Sequence, residues 1–222
     1  MEESLKSYEN AAKFAAQKGL KRFTRFLDPA QVYEARSIAK KNGVSFSCWG
    51  GFDRAERVIG CFYPEDHIVD QQEYPLVCLC AHYNAKFCHL THKDILGAFM
   101  NLGLTRDCVG DMMILSDRVY LFASEQTAAF VASSLTSAGR VPLSFEPVDA
   151  LPRIPEPAGT EFHSVVSSLR LDAMLAAAYR LSRNEAASCI RNGLVKVDHL
   201  PQERIDFVLK ENSLLSLRGK GA

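Results

Sequence analysis

Residues 169–197 read LRLDAMLAAAYRLSRNEAASCIRNGLVKV, and this stretch predicts two short helices followed by a strand. Apolar residues recur at helical spacing from Leu171 to Ala178. Ser182 and Glu185 have the spacing of a capping box at the start of the second helix, and Gly193 is placed to end it. The stretch therefore predicts a small α/β module in the last third of the chain.

The same residues resemble the S4 RNA-binding domain, a module named for a small-subunit ribosomal protein. The family pattern is R-L-D, then S-R-x-x-A, then I-x-x-G-x-V-x-V-N-G. It is matched here by residues 170–172, 182–186 and 190–197. Asp198-His199 departs from the usual Asn-Gly turn, and residues 211–213 replace the usual Gly-Asp before a predicted last strand at 214–217. The resemblance implies an S4-type α/β domain that binds RNA.

Basic side chains on this module are the candidate RNA contacts. An RNA helix presents phosphates and 2′-hydroxyls, and forked guanidinium donors match phosphate oxygens. The start of the second helix adds backbone N–H groups near Arg183, which favour a phosphate. Asp172 is interpreted as a local helix charge, and Asp198 puts a negative charge near the surface. The candidate RNA-binding residues are Arg170, Arg180, Ser182, Arg183, Asn184, Arg191, Lys196 and His199.

The distribution of charge agrees with a basic tail, although the net charge of the whole chain is zero. Residues 163–222 contain 9 Lys/Arg and 6 Asp/Glu, residues 73–162 contain 6 and 10, and residues 1–72 contain 11 and 10. The acidic middle segment is a poor candidate for general phosphate binding.

Composition limits the class of protein. A hydrophobic content of 47% predicts a buried core, and no apolar run reaches the length of a membrane span. The 7 cysteines are an odd number and predict reduced thiols rather than a disulfide framework. The N-terminal residues do not have the pattern of a signal peptide. We expect a cytoplasmic monomer with no membrane partner and no cofactor.

Hydrophobic periodicity and the positions of glycine and proline predict an α+β fold of three small domains. The domains are residues 1–72, residues 73–150 and residues 163–222, with a Pro-rich linker at 151–162. The middle domain has the order β-α-β-β-α-β, which is typical of ferredoxin-like folds. Its last helix is predicted over 125–138 and its last strand over 141–148. Such folds leave one sheet face free, and RNA-recognition modules use that face, so this domain is a candidate for RNA binding or docking.

The first domain is predicted from helix and strand signals. A helix at 5–18 is followed by a second helix at 29–41, where Asp28 and Gln31 have capping-box spacing and Pro29 suits the first turn. Strands are predicted at 44–49 and 58–62, on either side of a Gly-led turn at 50–57.

The whole chain resembles the YlmH family of bacterial S4-domain proteins. The matching residues are Gly50 to Arg57, Lys86-Phe87 with Leu90 to Gly97, Leu102 to Leu104 with Arg106, and Gly110-Asp111. The resemblance implies a cytoplasmic, ribosome-associated factor that binds ribosomal RNA, tRNA and the large ribosomal subunit. Its S4 domain is similar to those of factors that handle stalled large subunits carrying peptidyl-tRNA.

The sequence gives weaker support to an enzyme or a metal-binding protein than to an RNA-binding protein. The motifs of tRNA synthetases and methyltransferases are missing from the sequence, so we expect no catalytic residues, although an RNA-modifying enzyme with an unrecognised site stays an alternative. A metal site would have to use residues without paired-ligand spacing, and buried thiols are the simpler interpretation. Those residues are Cys78, Cys80, His82, Cys88, His89 and His92.

Two further alternatives concern the first two domains. Secondary basic sites could form at the 50–57 turn and near the start of the middle domain's first helix, although solvated surface charge explains them equally well. The second alternative is a protein-interaction scaffold linked to cell division, whose acidic middle domain contacts a ribosomal protein. The residues of the secondary basic sites are Arg54, Arg57, His92, Lys93 and Arg106.

Overall fold

The computed structural model describes residues 2–53, 55–84, 89–149 and 161–219 of the chain. The chain divides into two compact units, Met1–Ile154 and Pro155–Ala222. The predicted α+β class is confirmed, because both units combine helices with antiparallel sheets. Several residues of the sequence analysis lie outside the described ones: Arg54, Lys86-Phe87, Cys88 and nearly all of the predicted linker.

The first unit begins with two helices and a three-stranded antiparallel sheet. The elements are α1 (Glu2–Lys18), β1 (Arg22–Leu27), α2 (Pro29–Lys41), β2 (Ser45–Trp49) and β3 (Val58–Tyr63), with strand order β1-β3-β2. The predicted capping box of α2 is confirmed: the Gln31 N–H donates to Oδ1 of Asp28, and the Asp28 N–H donates to Oε1 of Gln31, both at 2.9 Å. β1 was not predicted from the sequence.

A second, four-stranded sheet follows in the same unit. The elements are β4 (Leu76–His82), α3 (His92–Asn101), β5 (Val109–Ile114), β6 (Arg118–Ser124), α4 (Glu125–Ser134), β7 (Ser137–Ala138), β8 (Val141–Pro142) and β9 (Glu146–Pro147). The four-stranded sheet has the order β5-β6-β4-β9, and a separate two-stranded ribbon joins β7 and β8. Single 3-10 turns span Gln71–Glu73 and Arg106–Cys108.

The end of this region differs from the prediction. The last helix stops at Ser134, short of the predicted end at residue 138, and the continuous strand predicted over 141–148 is broken into β8 and β9. Both short strands contain a proline, which has no N–H for a ladder. Gly139, with φ of 61°, makes the turn that lets β7 pair with β8.

The two sheets of the first unit pack against each other. Side chains of β4 and β6 alternate between faces: Leu79 and Leu121 pack with α3 and α4, whereas Cys78 and Phe122 join a core with Phe26 of β1. A third core joins β1 and β3 to α1 and α2. The layers are therefore helices, sheet, sheet and helices.

This packing corrects the expectation that the middle domain has a free sheet face. Cys78, Cys80, Tyr120 and Phe122 are all buried, because Phe26, Ile59 and Cys61 of the first sheet cover them. The boundary predicted at residue 72 falls inside one compact unit, and a shared core crosses it. The division of that unit into two domains stays a prediction.

The turn between β2 and β3 lies against this shared core. The rings of Phe52 and Phe122 are 5.2 Å apart between centroids. Gly51 has a φ of 96°, and a Cβ at this position would overlap the Phe122 ring. Only glycine satisfies both the backbone conformation and the close approach.

The second unit is smaller and has its own core. Its elements are α5 (Leu171–Tyr179), α6 (Arg183–Arg191), β10 (Val195–Val197), β11 (Leu200–Pro201) and β12 (Leu215–Leu217), and its sheet has the order β11-β10-β12. The predicted helices and the strands near 194–197 and 214–217 are confirmed, and β11 was missed. Leu171, Leu175 and Ile190 are fully buried where the helices meet the sheet.

Within the parts of the chain that the structure describes, no helix is both long and apolar enough to cross a bilayer.

Candidate nucleic-acid interface

A buried carboxylate joins the two helices of the second unit. Oδ1 of Asp172 accepts a hydrogen bond from Nε of Arg170 at 3.2 Å, and Oδ2 accepts one from Nη2 of Arg183 at 2.8 Å. Oδ1 also accepts the backbone N–H of Ala173 at 3.0 Å. Only 9% of the Asp172 side chain is exposed, against 43% for Arg170 and 51% for Arg183. One anion therefore holds two half-exposed guanidinium groups in place.

The local fold explains why these three groups meet. Arg170 immediately precedes α5, and its backbone forms a bridge with Val208. The Leu171 N–H donates to the Phe207 carbonyl at 2.7 Å, which fixes the start of the helix. Arg183 is the first residue of α6, so both arginines lie at helix starts, and the packing of the two helices brings the starts together.

The charge of Asp172 depends on these partners. Burial raises the pKa of the carboxyl, but the hydrogen bonds and charges of Arg170 and Arg183 outweigh that effect and leave the pKa below its usual value. Asp172 is therefore ionised at neutral pH. Asp172 lies in the first turn of α5, as its interpretation as a local helix charge requires. Its carboxylate also holds the arginine of the R-L-D motif and the arginine of the S-R motif, a role that was not predicted from the sequence.

The start of α6 is capped as predicted. The Glu185 N–H donates to Oγ of Ser182 at 3.2 Å, and the Ser182 N–H donates to Oε2 of Glu185 at 2.8 Å. The Ser182 hydroxyl therefore has a structural role. The N–H groups of Arg183 and Asn184 have no acceptor within the helix, so they are the donors that the helix start offers to a phosphate.

The remaining candidates lie on successive elements of the same unit. Arg180 ends α5 in the left-handed conformation with φ of 52°, and Arg191 is in the last turn of α6. Lys196 projects from β10 between the buried Val195 and Val197. These three side chains and that of Asn184 are exposed. The structure links Arg170 to Arg183 through the carboxylate of Asp172, and the RNA contacts of all eight candidates stay predictions.

The turn after β10 explains the departure from Asn-Gly. Asp198 and His199 have φ of 49° and 70°, the positive pair that a two-residue hairpin turn requires. Oδ1 of Asp198 accepts the Leu214 N–H at 2.7 Å, so its charge holds the neighbouring segment. His199 is half-buried in the turn.

Arg57, a predicted secondary site, points into the first unit. Its Nε donates to the Val109 carbonyl at 3.1 Å, and its Nη2 donates to the carbonyls of Arg106 at 3.0 Å and Phe26 at 3.4 Å. Asp111 accepts the Arg57 N–H at 3.3 Å. This geometry favours a structural role for Arg57, which fastens the 50–57 turn to β1 and β5.

Arg106 belongs to the same cluster. Its Nη1 donates to the Gly110 carbonyl at 3.2 Å, and burial, followed by the charge of Arg57, lowers the pKa of its guanidinium. Burial raises the pKa of Asp111, which also accepts the Glu56 N–H at 2.7 Å. Gly110 and Asp111, which carry part of the resemblance to the YlmH family, therefore have a structural role. Asp111 accepts backbone hydrogen bonds from the turn at residues 50–57 and holds it in place.

His92 and Lys93 are the first two residues of α3, and both are exposed. The N-cap Thr91 and Asp94 form the predicted capping box there. The Asp94 carboxylate accepts the Thr91 N–H at 2.8 Å and lies at the helix start, where it competes with an approaching phosphate. These two cations stay weaker candidates than the arginines of the second unit.

The cysteines of β4 are packing residues. Cys78 and Cys80 face the core between the two sheets, and burial raises the pKa of the Cys78 thiol to about 12. Such a thiol is a poor metal ligand at neutral pH. Outside residues 85–88 and the other undescribed positions, no cluster of three His, Cys, Asp or Glu side chains is arranged to bind a metal ion.

Comparison with known proteins gives one family match. A family model described as "Putative RNA-binding domain in YlmH" matches residues 70–151. That stretch contains the four-stranded sheet with α3 and α4.

Two similar proteins extend beyond that stretch. The "Ribosome-associated protein quality control protein P2" of Bacillus subtilis is 35% identical over 201 residues, which cover 90% of this chain and 78% of the relative. The solved structure of the "Cell division protein ylmH from Streptococcus pneumoniae" is 26% identical with a TM-score of 0.57, and the similarity covers 66% of this chain and 90% of that chain.

Proposed function

Because the chain belongs to the YlmH family, we propose that it is a ribosome-associated RNA-binding protein whose second unit binds structured RNA. The observation that carries the proposal is the pair of arginines held by Asp172 at two helix starts. Guanidinium groups that are already oriented lose little freedom on binding, so each phosphate contact costs less entropy.

The finer proposal is that the second unit is an S4-type domain that binds ribosomal RNA or tRNA on the large ribosomal subunit. The name of the Bacillus subtilis relative supports a role in ribosome-associated quality control, and we propose that this role is exercised on stalled large subunits. The order β5-β6-β4-β9 supports a ferredoxin-like second sheet in the first unit. We propose a non-catalytic role in the cytoplasm, with the protein acting as a monomer.

Direct RNA titration tests this proposal. We expect the full chain to bind purified ribosomal RNA, with an affinity that falls as salt rises because phosphate contacts release counterions. Co-sedimentation with purified large subunits should follow the same salt dependence. A chain that fails to bind ribosomal RNA at low salt would refute the proposal. Conversion of nucleosides beyond one event per protein molecule, detected by mass spectrometry, would refute the non-catalytic role.

A protein-docking role for the first unit is a second candidate. The acidic balance of residues 73–162 suits a basic protein partner, and the covered sheet face cannot stack RNA bases. Affinity purification with and without ribonuclease separates the two roles. A ribosomal protein that stays bound after RNA digestion would support direct docking. Its loss on digestion would indicate that the ribosomal protein was attached to this protein only through RNA.

A further inference from the structure

We propose that a groove between α1 and β1 is a second RNA-binding site, which takes the phosphodiester backbone of a single RNA strand. This inference rests on the proposed function and extends it to the first unit. The α1/β1 groove has a volume of 720 Å³ and is lined by Lys6, Ser7, Asn10 and Phe14 of α1 and by Arg22 and Arg25 of β1, among others.

Among the described residues, all charged side chains that line the α1/β1 groove are cationic. Lys6 and Arg22 are exposed, and among the described residues no carboxylate pairs with either. Arg25 is held by Asp107, whose Oδ2 accepts a hydrogen bond from Nη1 at 2.8 Å. Asp107 lines an adjoining cleft rather than the groove itself. Two cations of the groove therefore have no carboxylate partner among the described side chains, and a third is fixed beside them.

An aromatic platform lies among these cations. The guanidinium of Arg22 is 5.5 Å from the centroid of the Phe14 ring, within the range of a cation–π contact. Phe14 is half-buried, and its ring supports the guanidinium of Arg22 at the groove. Ser7 and Asn10 add neutral hydrogen-bonding groups. Cations with an aromatic ring between them are typical of single-strand RNA sites.

The edge of the sheet argues against a peptide strand as the occupant. β1 is an edge strand, but its pairing with β3 shifts register between Phe23 and Phe26. At this bulge the Gly60 N–H donates to the Thr24 hydroxyl at 2.9 Å. Peptides that add to a sheet need a regular edge, and a bulge interrupts it. A nucleic-acid backbone has no such requirement.

The distribution of charge agrees with this location. Residues 1–27 contain 6 Lys/Arg and 3 Asp/Glu, although the rest of the first unit has an acidic excess. The sheet face that RNA-recognition modules use is covered in this protein. In the α1/β1 groove, basic and aromatic side chains of the first unit meet in an open cavity.

The test uses the full chain and two charge-matched double variants. Lys6→Gln with Arg22→Gln removes two groove cations and keeps a shorter polar side chain at each position, whereas Lys40→Gln with Lys41→Gln makes the same kind of change at two exposed cations of α2. Each protein is titrated over a salt series with labelled oligouridylate and with purified ribosomal RNA. Thermal melting checks that both variants fold.

We expect the groove variant to bind oligouridylate at least about fivefold more weakly than the parent, with a salt slope shallower by about 0.7 for each lost phosphate contact. The α2 variant should stay within about twofold of the parent. Equal losses in both double variants would overturn the site, as would a parent that does not bind oligouridylate.

Two further measurements separate failure of the groove proposal from failure of the proposed function, and RNA from an acidic peptide as the ligand. If Arg183→Ala weakens ribosomal RNA binding while the groove variant binds both RNAs like the parent, the groove is wrong and the proposed function stands. If the parent binds no RNA at all, both fail. Polyglutamate serves as an acidic-peptide probe: loss of polyglutamate binding in the groove variant, with RNA binding unchanged, would make this a peptide site and overturn the proposal.

Discussion

Nη2 of Arg183 donates to Oδ2 of Asp172 at 2.8 Å, although the two residues are 11 positions apart in the chain. The contact joins the start of one helix to the start of the next. Because Arg170 binds the other carboxylate oxygen, the position of each arginine depends on a residue that carries the opposite charge.

Asp172→Asn tests whether position or net charge governs RNA binding. An amide nitrogen would face a guanidinium donor in place of one carboxylate oxygen, so one arginine would lose its anchor. We expect RNA affinity to fall by about 1–2 kcal/mol, even though the protein gains one positive charge. The measurement is a titration of ribosomal RNA at fixed salt.

Asp206→Asn is the matched control, since Asp206 is exposed and pairs only loosely with Arg204 at 3.5 Å. This variant should bind RNA as tightly as the parent or slightly more tightly. Tighter binding by both variants would mean that net charge decides and that Asp172 does not position the arginines.

Arg183→Ala should weaken RNA binding by about 1–3 kcal/mol, the cost of a hydrogen bond to a charged group. The slope of affinity against salt should become shallower by about 1. The variant should also unfold more easily, because Asp172 keeps only Arg170 as a charged partner. RNA titrations over a salt series and circular dichroism measure both effects.

Arg204→Ala is the control for that experiment, because Arg204 is an exposed arginine of the same unit. Arg183→Lys should have an intermediate affinity, since lysine keeps the charge without the forked geometry. An Arg183→Ala variant that binds RNA like the parent at every salt concentration would place the RNA elsewhere.

The ionisation of Asp172 gives a pH prediction. Its folded pKa lies below the usual value of about 3.9, so the contact stabilises the fold at neutral pH and is lost as pH falls through the folded pKa. Carbon-13 NMR of the Asp172 carboxyl should show a titration midpoint below about 3.9, the usual pKa of an aspartate. The midpoint should rise in Arg183→Ala, and an unchanged midpoint would contradict the ion pair.

Much of the second unit follows from its sequence, and part of the first does not. Capping residues such as Asp28 and Ser182 predict helix starts correctly because their hydrogen bonds are local. β1 was missed because its pairing with β3 is long-range and its alternation is broken by a bulge.

The site shows the same division between local and long-range effects. Arg170 and Arg183 are marked by a motif, whereas the role of Asp172 depends on the packing of α5 on α6. Arg57 was a surface candidate because the sequence carries no sign of the three backbone carbonyls that surround it.

The second unit should fold alone. Its core of Leu171, Leu175, Ile190 and neighbouring residues is formed within Pro155–Ala222. A fragment of residues 155–222 is expected to melt cooperatively and to bind ribosomal RNA. Ile190→Ala in the same fragment should cost about 2–5 kcal/mol and serves as the unfolded control. A fragment whose far-ultraviolet spectrum is that of a random coil would contradict the prediction.

Arg57→Ala should destabilise the first unit without weakening RNA binding. Its guanidinium donates to three backbone carbonyls, and their loss should lower the free energy of unfolding by about 2–4 kcal/mol. Urea denaturation followed by Trp49 fluorescence reports on this unit. Arg140→Ala, at an exposed position, should leave stability unchanged. If Arg57→Ala left the stability unchanged but weakened RNA binding, Arg57 would instead belong to an RNA-binding basic site.

The core between the two sheets has a consequence for evolution and for protein engineering. The stretch 70–151 is a unit of sequence similarity, yet the apolar side chains of Cys78, Cys80, Tyr120 and Phe122 need the first sheet as their cover. Cut out by itself, the stretch would expose a contiguous apolar surface and tend to aggregate. Recombination that exchanged this stretch between relatives would succeed only if both partners kept complementary shapes at Phe26 and Ile59, so the two sheets are expected to be inherited together.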